Sequence, residues 1–225
     1  MSDRPEVGAA IPVHNGERYL AAALRSVLDQ SYPVSDVVVV DDGSDDASQA
    51  VALAIGPPVR VVHQPHAGVG VARSSAVNLV RGEFIVLMDA DDLLTRGSVE
   101  SRMEVLCSRP EVDIVYGQIR CFSESVEGHP VPLDAPRPAH LPGAMLVRRS
   151  SFERVGPFAA GLRVAEGLDW LLRAHEIGLC EATVDEQVQW RRVHGANNSL
   201  TQRGSLHELP RTLKASLDRR RAGGG

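Results

Sequence analysis

Cysteine is scarce in this chain: Cys107, Cys121 and Cys180 are its three, and no two of them form a CxxC pair. Their odd number and wide spacing argue against a disulfide framework or a zinc site and leave reduced thiols as the expectation. No apolar run reaches the roughly 18 residues of a membrane-spanning helix. The opening Met1-Ser2-Asp3-Arg4-Pro5-Glu6 lacks the apolar centre of a signal peptide. A basic surplus is missing too. The formal net charge is −5, which argues against nucleic acid as a partner. The first strand runs into Pro12-Val13-His14-Asn15-Gly16 instead of GxGxxG, so a Rossmann-type oxidoreductase would lack its phosphate fingerprint. These absences together point to a cytoplasmic protein. Peripheral contact with the inner face of a membrane is left open by the basic Arg219-Arg220-Arg221, which equally suits a helix C-terminus.

What is present is a 225-residue chain, 43% hydrophobic and 24% charged, enough for one substantial core. Its first ~100 residues alternate strand-like and helix-like segments, the pattern of an α/β domain with a mainly parallel central sheet flanked by helices. Strands are expected at Val7–Val13, Asp36–Val40, Val59–His63 and Phe84–Met88. Helices are expected at Glu17–Gln30 with Asn15 as cap, at about Ala47–Ile55 after the capping turn Asp41–Asp46, and from Gly68-Val69-Gly70 to about Val80.

The second half is less regular. Helices are expected at Ser98–Cys107, Ser150–Val155, Glu166–Ile177 and Leu206–Arg221. Strands are expected at Ile114–Phe122, Ala144–Val147 and Gln187–Val193. The stretch Gly128–Pro142 holds five prolines, too many for a regular element, and reads as a loop, either a functional lid or a surface connector. Gly223-Gly224-Gly225 reads as a disordered end. The whole, 1–225, is taken as a single domain: a nucleotide-binding half over about 5–95, an acceptor-side half over about 96–205, and a C-terminal helix and tail over 206–225.

Phe84-Ile85-Val86-Leu87-Met88 runs into Asp89-Ala90-Asp91-Asp92. Three carboxylates at the end of a buried strand repel one another and resist desolvation. A divalent cation beside a phosphate-bearing ligand would make them reasonable, and oxygen ligands suit Mg²⁺ or Mn²⁺. A solvated acidic turn is the plain alternative. Polar clusters also close the first and second strands, at Pro12-Val13-His14-Asn15 and Asp41-Asp42-Gly43-Ser44. Ligands of open α/β sheets bind at such strand ends, where the three clusters can converge.

In this order the motifs resemble the family 2 glycosyltransferases. The resembling segments are Ile11–Leu20, Val40-Asp41-Asp42-Gly43-Ser44, Gly68-Val69-Gly70-Val71-Ala72-Arg73, Met88–Asp92, Glu166–Arg173 and Arg191-Arg192-Val193-His194-Gly195. The resemblance covers about residues 7–200. It implies a GT-A-like fold and an inverting, metal-dependent transfer of a sugar from a nucleotide diphosphate donor to an acceptor hydroxyl. It further implies that Pro12, Val13, His14, Asn15 and Glu17 line the nucleobase pocket. Asp41 and Asp42 would accept from base or ribose, and Arg73 would steady the nucleotide. Asp89 would face the ribose, and Ala90 would belong to the nucleotide-binding residues. Asp91 would hold the Mn²⁺ or Mg²⁺, with His194 as a second ligand or a plain loop residue. Asp92 would assist either role or merely solvate the turn.

The family's general base is the Asp of a Glu-Asp pair opening a late helix. Here the pair is Glu166-Gly167, so Glu166 or Asp169 is expected to supply the base. Weak or absent transfer by a nucleotide-sugar binding protein is the alternative. Ser74 stands where relatives carry Asn, which implies a local hydrogen-bond change. Trp170 and Trp190 stack on a sugar or pack in the core. The acceptor is left open among glycan, lipid-linked, peptide and small-molecule classes.

Overall fold

The computed structural model describes residues 4–125, 129–195 and 203–223. In chain order its elements are β1 (Val7–Val13), α1 (Glu17–Leu28), β2 (Val34–Asp42), α2 (Ser48–Ile55), β3 (Val59–Gln64), α3 (Val69–Leu79), β4 (Phe84–Leu87), β5 (Leu93–Leu94) and α4 (Ser98–Ser108). There follow β6 (Ile114–Glu124), β7 (Pro130–Pro132), β8 (Arg137–Pro138), a 3₁₀ turn (Pro142–Ala144), β9 (Leu146–Arg148), α5 (Arg149–Val155), α6 (Glu166–Glu176), β10 (Glu181–Arg192) and α7 (Glu208–Gly223). The sheet runs β3-β2-β1-β4-β9-β6-β10-β5, with β7 and β8 pairing along β6. β3, β2, β1 and β4 are parallel, β9 is antiparallel to β4 and β6, and β10 is again parallel to β6.

Both faces of β1, β2 and β4 are buried because helices cover both, which is why they read as nearly unbroken apolar runs, whereas the edge strand β3 is only partly buried. Alternate residues face opposite layers. Ala9, Ile11, Val37, Val39 and Val86 belong to one core with Leu20, Leu24 and Val27 of α1. Ala10, Val38, Val40, Ile85 and Leu87 belong to the other, with Ala72, Ala76 and Val77 of α3 and Trp170 of α6.

Several expected elements shift. Asn15 is not the cap of α1. It takes a left-handed backbone, φ 53°, and its Oδ1 accepts from the Asp45 N–H at 2.9 Å. Capping comes across the site instead: Asp46 Oδ2 accepts from Glu17 N, Glu17 Oε2 accepts from Ala47 N, and Asp46 Oδ1 accepts from Ser48 N. Two adjacent strand-to-helix turns thus cap each other's helices. Helix α1 ends at Leu28, short of Gln30. The Gln30 side chain turns inward to donate to Ser26 O and Thr95 O and to accept from Val99 N.

The proline-rich stretch is no single loop. It forms β7, β8 and the 3₁₀ turn. Prolines are tolerated there because an outer strand leaves one side of its backbone unpaired. β10 begins at Glu181, six residues before the expected Gln187, because its polar opening is exposed and its ladder is interrupted by register shifts. The two-residue β5 carries too little pattern to be read from sequence. Residues 126–128, 196–202 and 224–225 lie outside the described residues, and with them Gly128 and most of the glycine tail.

Candidate nucleotide and acceptor site

After β1 the chain winds through β2 and β3 to one side, then returns to lay β4 on the other. The reversal opens a crevice at the carboxyl ends of β1 and β4, the place where open α/β sheets bind ligands. The three polar clusters stand along this edge.

Arg73, on α3, is the hub. Its guanidinium donates to Asp89 Oδ1 and to Glu166 Oε1, both at 2.7 Å, and lies 5.3 Å from the Phe158 ring centroid. The side chain is 4% exposed. Burial alone would lower its pKa, but the charges of Asp89 and Glu166 outweigh burial and raise it. Nε is buried with no hydrogen-bond partner among the described residues. Residues from β4's end and from the start of α6 are thereby held 2.7 Å from one cation, with Arg73 and Glu166 themselves 93 positions apart.

The Asp89–Asp92 turn is held from the other side by β10. Asp92 is 3% exposed, and its oxygens accept from Arg192 N at 2.8 Å and Gln189 Nε2 at 2.5 Å. It is a tie between turn and sheet and does not solvate the turn. Arg192 Nε donates to Asp91 O at 2.7 Å, with its guanidinium between the Tyr19 and Phe122 rings and paired with Glu124. Asp91 Oδ2 lies 2.9 Å from His194 Nε2. Burial, then the Asp89 charge, raises the Asp91 pKa against the opposing pull of His194. Burial, then Asp91 and Asp89, pushes Asp92 well up.

At the opposite end of the crevice, Pro12 and Val13 lie in β1 beside Val40 and Asp41 of β2. Asp42 is buried. Its carboxylate accepts from Gln64 Nε2, Ala67 N and Gly68 N at 2.7–2.9 Å, holding the loop that leads into α3. Asp41 accepts from Ser44 N and lies 3.1 Å from His63 Nδ1. His14 and His66 both donate through Nδ1 to the Asp42 carbonyl, with ring centroids 4.3 Å apart. His66, Gln189 and Arg192 carried no assigned role at the sequence level. His66 precedes the Gly68-x-Gly70 turn and Arg192 sits in the late Arg-Arg-Val-His motif, but nothing in the pattern marks Gln189.

The two candidate bases part company. Glu166 faces Arg73, whereas Asp169 accepts from Arg173 Nε at 2.8 Å and lies 3.7 Å from Arg219 of α7. Trp170 is fully buried against Phe152 and Phe158 and is a core residue. Trp190 is half-buried and meets Phe122 edge-on. Ser74 donates to Gly70 O and accepts from Phe158 N, fastening α3 to the segment before α6.

Among the described residues, no group of three or more His, Cys, Asp or Glu side chains is arranged to hold a metal ion. The pair Asp91–His194 nevertheless fits a divalent cation. A carboxylate and an imidazole stand side by side at 2.9 Å, one oxygen and one nitrogen donor of the kinds such an ion takes. Remaining ligands would have to come from elsewhere.

In a comparison with solved structures, S. aureus TarS 1-349 in complex with UDP-GlcNAc matches with a TM-score of 0.72 at 19% identity, over 86% of this chain and 60% of that one. The same protein in complex with UDP gives a TM-score of 0.72 at 18% identity, over 94% and 65%. The fold is that of GT-A glycosyltransferases. The sequence model described as glycosyl transferase family 2 matches residues 9–166, and the chain belongs to that family. Among curated proteins, an uncharacterized glycosyltransferase of Rickettsia bellii is 35% identical over 116 residues, 50% of this chain and 17% of that protein. The glycosyltransferases GlyA and GlyG of Streptococcus pneumoniae serotype 4 are 30% and 28% identical over 123 residues, 53% of this chain and 18% and 40% of theirs. The chain thus spans well under half the length of these relatives.

Proposed function

We propose that this domain transfers a sugar from a nucleotide diphosphate donor to an acceptor hydroxyl with inversion, aided by Mn²⁺ or Mg²⁺. The observation that carries the reading is Arg73, which bridges Asp89 of the nucleotide half and Glu166 of the acceptor half at the sheet's switch point. TarS structures holding UDP-GlcNAc and UDP support a nucleotide-sugar donor.

The base and ribose lie along Pro12, Val13, His14, Asn15 and Glu17. Asp41 and Asp42 shape this end by fixing the loops, and His14 and His66 offer aromatic faces. Asp89 and Ala90 meet the ribose, and Arg73 fixes the turn that presents them. Asp91 and His194 would hold the cation, which when bound supplies Lewis-acid stabilisation of the departing diphosphate.

On the acceptor side, the hydroxyl proton passes to the Glu166 carboxylate as the oxygen forms its bond to the anomeric carbon. The bond to the diphosphate breaks on the opposite face, its electron pair leaving with the diphosphate. Glu166 Oε1 accepts from Arg73, and the proton is assigned to the other oxygen, Oε2. We place the protein in the cytoplasm. Exposed Leu213 and Leu217 beside Arg220 and Arg221 on α7 are the surface suited to peripheral membrane contact.

A thermal-shift panel of UDP, GDP and dTDP, with and without Mn²⁺, tests donor binding, because a ligand of the native state raises apparent stability. One nucleotide should stand out, with a larger shift in Mn²⁺, and Asp91→Ala should lose the metal-dependent part. No shift with any nucleotide would overturn the reading. A second reading, donor binding with little or no transfer, is favoured by Gly167. Calorimetric binding without nucleotide release from any donor sugar would select it.

A further inference from the structure

Gly167 opens α6 beside Glu166, where resembling enzymes carry the acceptor-activating carboxylate. Its surroundings show why no side chain is present. A Cβ on Gly167 would stand 2.8 Å from Cγ and 2.9 Å from Cδ of Pro142, closer than such atoms approach without displacement. The Pro142–Ala144 turn that carries this ring is firmly held. Arg102, itself fully buried, donates to Ala144 O at 3.0 Å. Inside the turn, Ala144 N donates to Leu141 O and Met145 N to Pro142 O. On its far side a Cβ on Gly143 would stand 2.9 Å from Gln189 Nε2, the group that donates to Asp92.

A continuous chain of close contacts therefore links the acidic turn to the start of α6. It runs from Asp89 through Arg73 and Glu166 to Gly167, across to Pro142 and Gly143, and through Gln189 to Asp92. Pro142 lies within the proline-rich stretch, which the motifs leave without a role. Its ring cannot swing aside as a long side chain would, because the pyrrolidine is part of the backbone.

We propose that Pro142 and Gly167 are a matched pair, in which the proline ring fills the slot of the family's acceptor-activating carboxylate. Pro142 is then a specificity-determining wall of the acceptor half, and Glu166 is the carboxylate that α6 presents to the cleft. A carboxylate at position 167 can act only if the ring is removed. There it would take the acceptor's proton while the acceptor oxygen bonds to the anomeric carbon and the diphosphate leaves with its electron pair. This last step rests on the function proposed above, but the packing claim does not.

The test is a double-mutant cycle in two readouts. In the first, Gly167→Ala should lower Tm by about 3–10 °C, the scale of overpacking in a chain of this size. In a Pro142→Ala background the same substitution should cost less than half as much, because the coupled partner is gone. Equal costs in the two backgrounds would overturn the pair.

In the second readout, nucleoside diphosphate release from UDP-, GDP- and dTDP-glucose in Mn²⁺ is followed with water as acceptor. Gly167→Asp with Pro142→Ala should exceed either single variant by at least about tenfold for the donor used, the low side of what a positioned base contributes. Nucleotide affinity should change little. A gain in Gly167→Asp alone, at unchanged Tm, would overturn the filled slot. Coupling in Tm without any gain in turnover would overturn its assignment to acceptor activation. Loss of all nucleotide binding in the parent protein would count against the donor reading, leaving the thermal cycle to judge the pair.

Discussion

Gln189 donates from Nε2 to Asp92 Oδ2 at 2.5 Å, joining residues 97 positions apart. The bond fastens the acidic turn after β4 to the sheet's far half. It also separates Asp92 from its two acidic neighbours in kind, since its oxygens face β10.

Asp92→Ala should therefore destabilise the fold by about 2–4 kcal/mol, because it strands the Arg192 N–H and the Gln189 amide in a buried place. Asp92→Asn should cost less, since Gln189 can turn its amide over to present Oε1. Urea denaturation of both variants checks this. A cost for Asp92→Ala within about 0.5 kcal/mol, the range of ordinary surface changes, would refute the tie.

Removing Arg73 should disturb stability and nucleotide binding together. Arg73→Ala leaves Glu166 buried without its cation, a loss on the order of 3–5 kcal/mol for a broken buried pair. Arg73→Lys should fall between, because a single ammonium cannot reproduce two guanidinium bonds at fixed spacing. Denaturation and calorimetry with UDP and Mn²⁺ report the two effects. Unchanged nucleotide affinity in Arg73→Ala would remove Arg73 from the donor site.

Asp91 and Asp92 have pKa values raised above the ordinary 3.8, burial being the first cause. The folded protein therefore binds protons there more readily than the unfolded chain. Their contribution to stability should grow as pH falls through the raised values towards 3.8 and be lost as pH rises through them. Cation binding should run the other way, because it needs the ionised carboxylate. Mn²⁺ titrations at pH 7.5 and 5.0 should show weaker binding at the lower pH, with a smaller difference in Asp91→Asn. Affinity independent of pH in the parent protein would argue against a carboxylate ligand.

Glu166 and Asp169 should separate at saturating donor. Glu166→Gln should lower kcat by roughly 10²-fold or more, as expected for a general base. Asp169→Asn should leave kcat nearly unchanged and lower stability by about 1 kcal/mol, because its carboxylate serves Arg173. Full kcat in Glu166→Gln would place acceptor activation elsewhere.

The parallel half was legible because β1, β2 and β4 are covered on both faces, so burial writes itself into continuous apolar runs. Helices α1 and α6 were legible through their apolar stripes. The caps of α1 were not, because Asp46 and Glu17 serve each other's helices across a gap that spacing rules cannot see. β7 and β8 were hidden by their prolines, which forbid a central strand but not one at an outer edge. Trp170 and Trp190 carried the same signal, and burial alone told them apart.

By itself, the sequence determined the strands and helices of the nucleotide half, the placing of three polar clusters at strand ends, and, through its family resemblance, the missing carboxylate at Gly167. These follow from local apolar periodicity, from the rule that parallel strands end on one edge, and from the identity of one residue. Only the tertiary structure decided that Arg73 joins Asp89 to Glu166, that Asp169 belongs to α7's side, and that Pro142 occupies the space beside Gly167. Those facts depend on side chains from distant segments competing for the same few ångströms, and no local pattern encodes that competition.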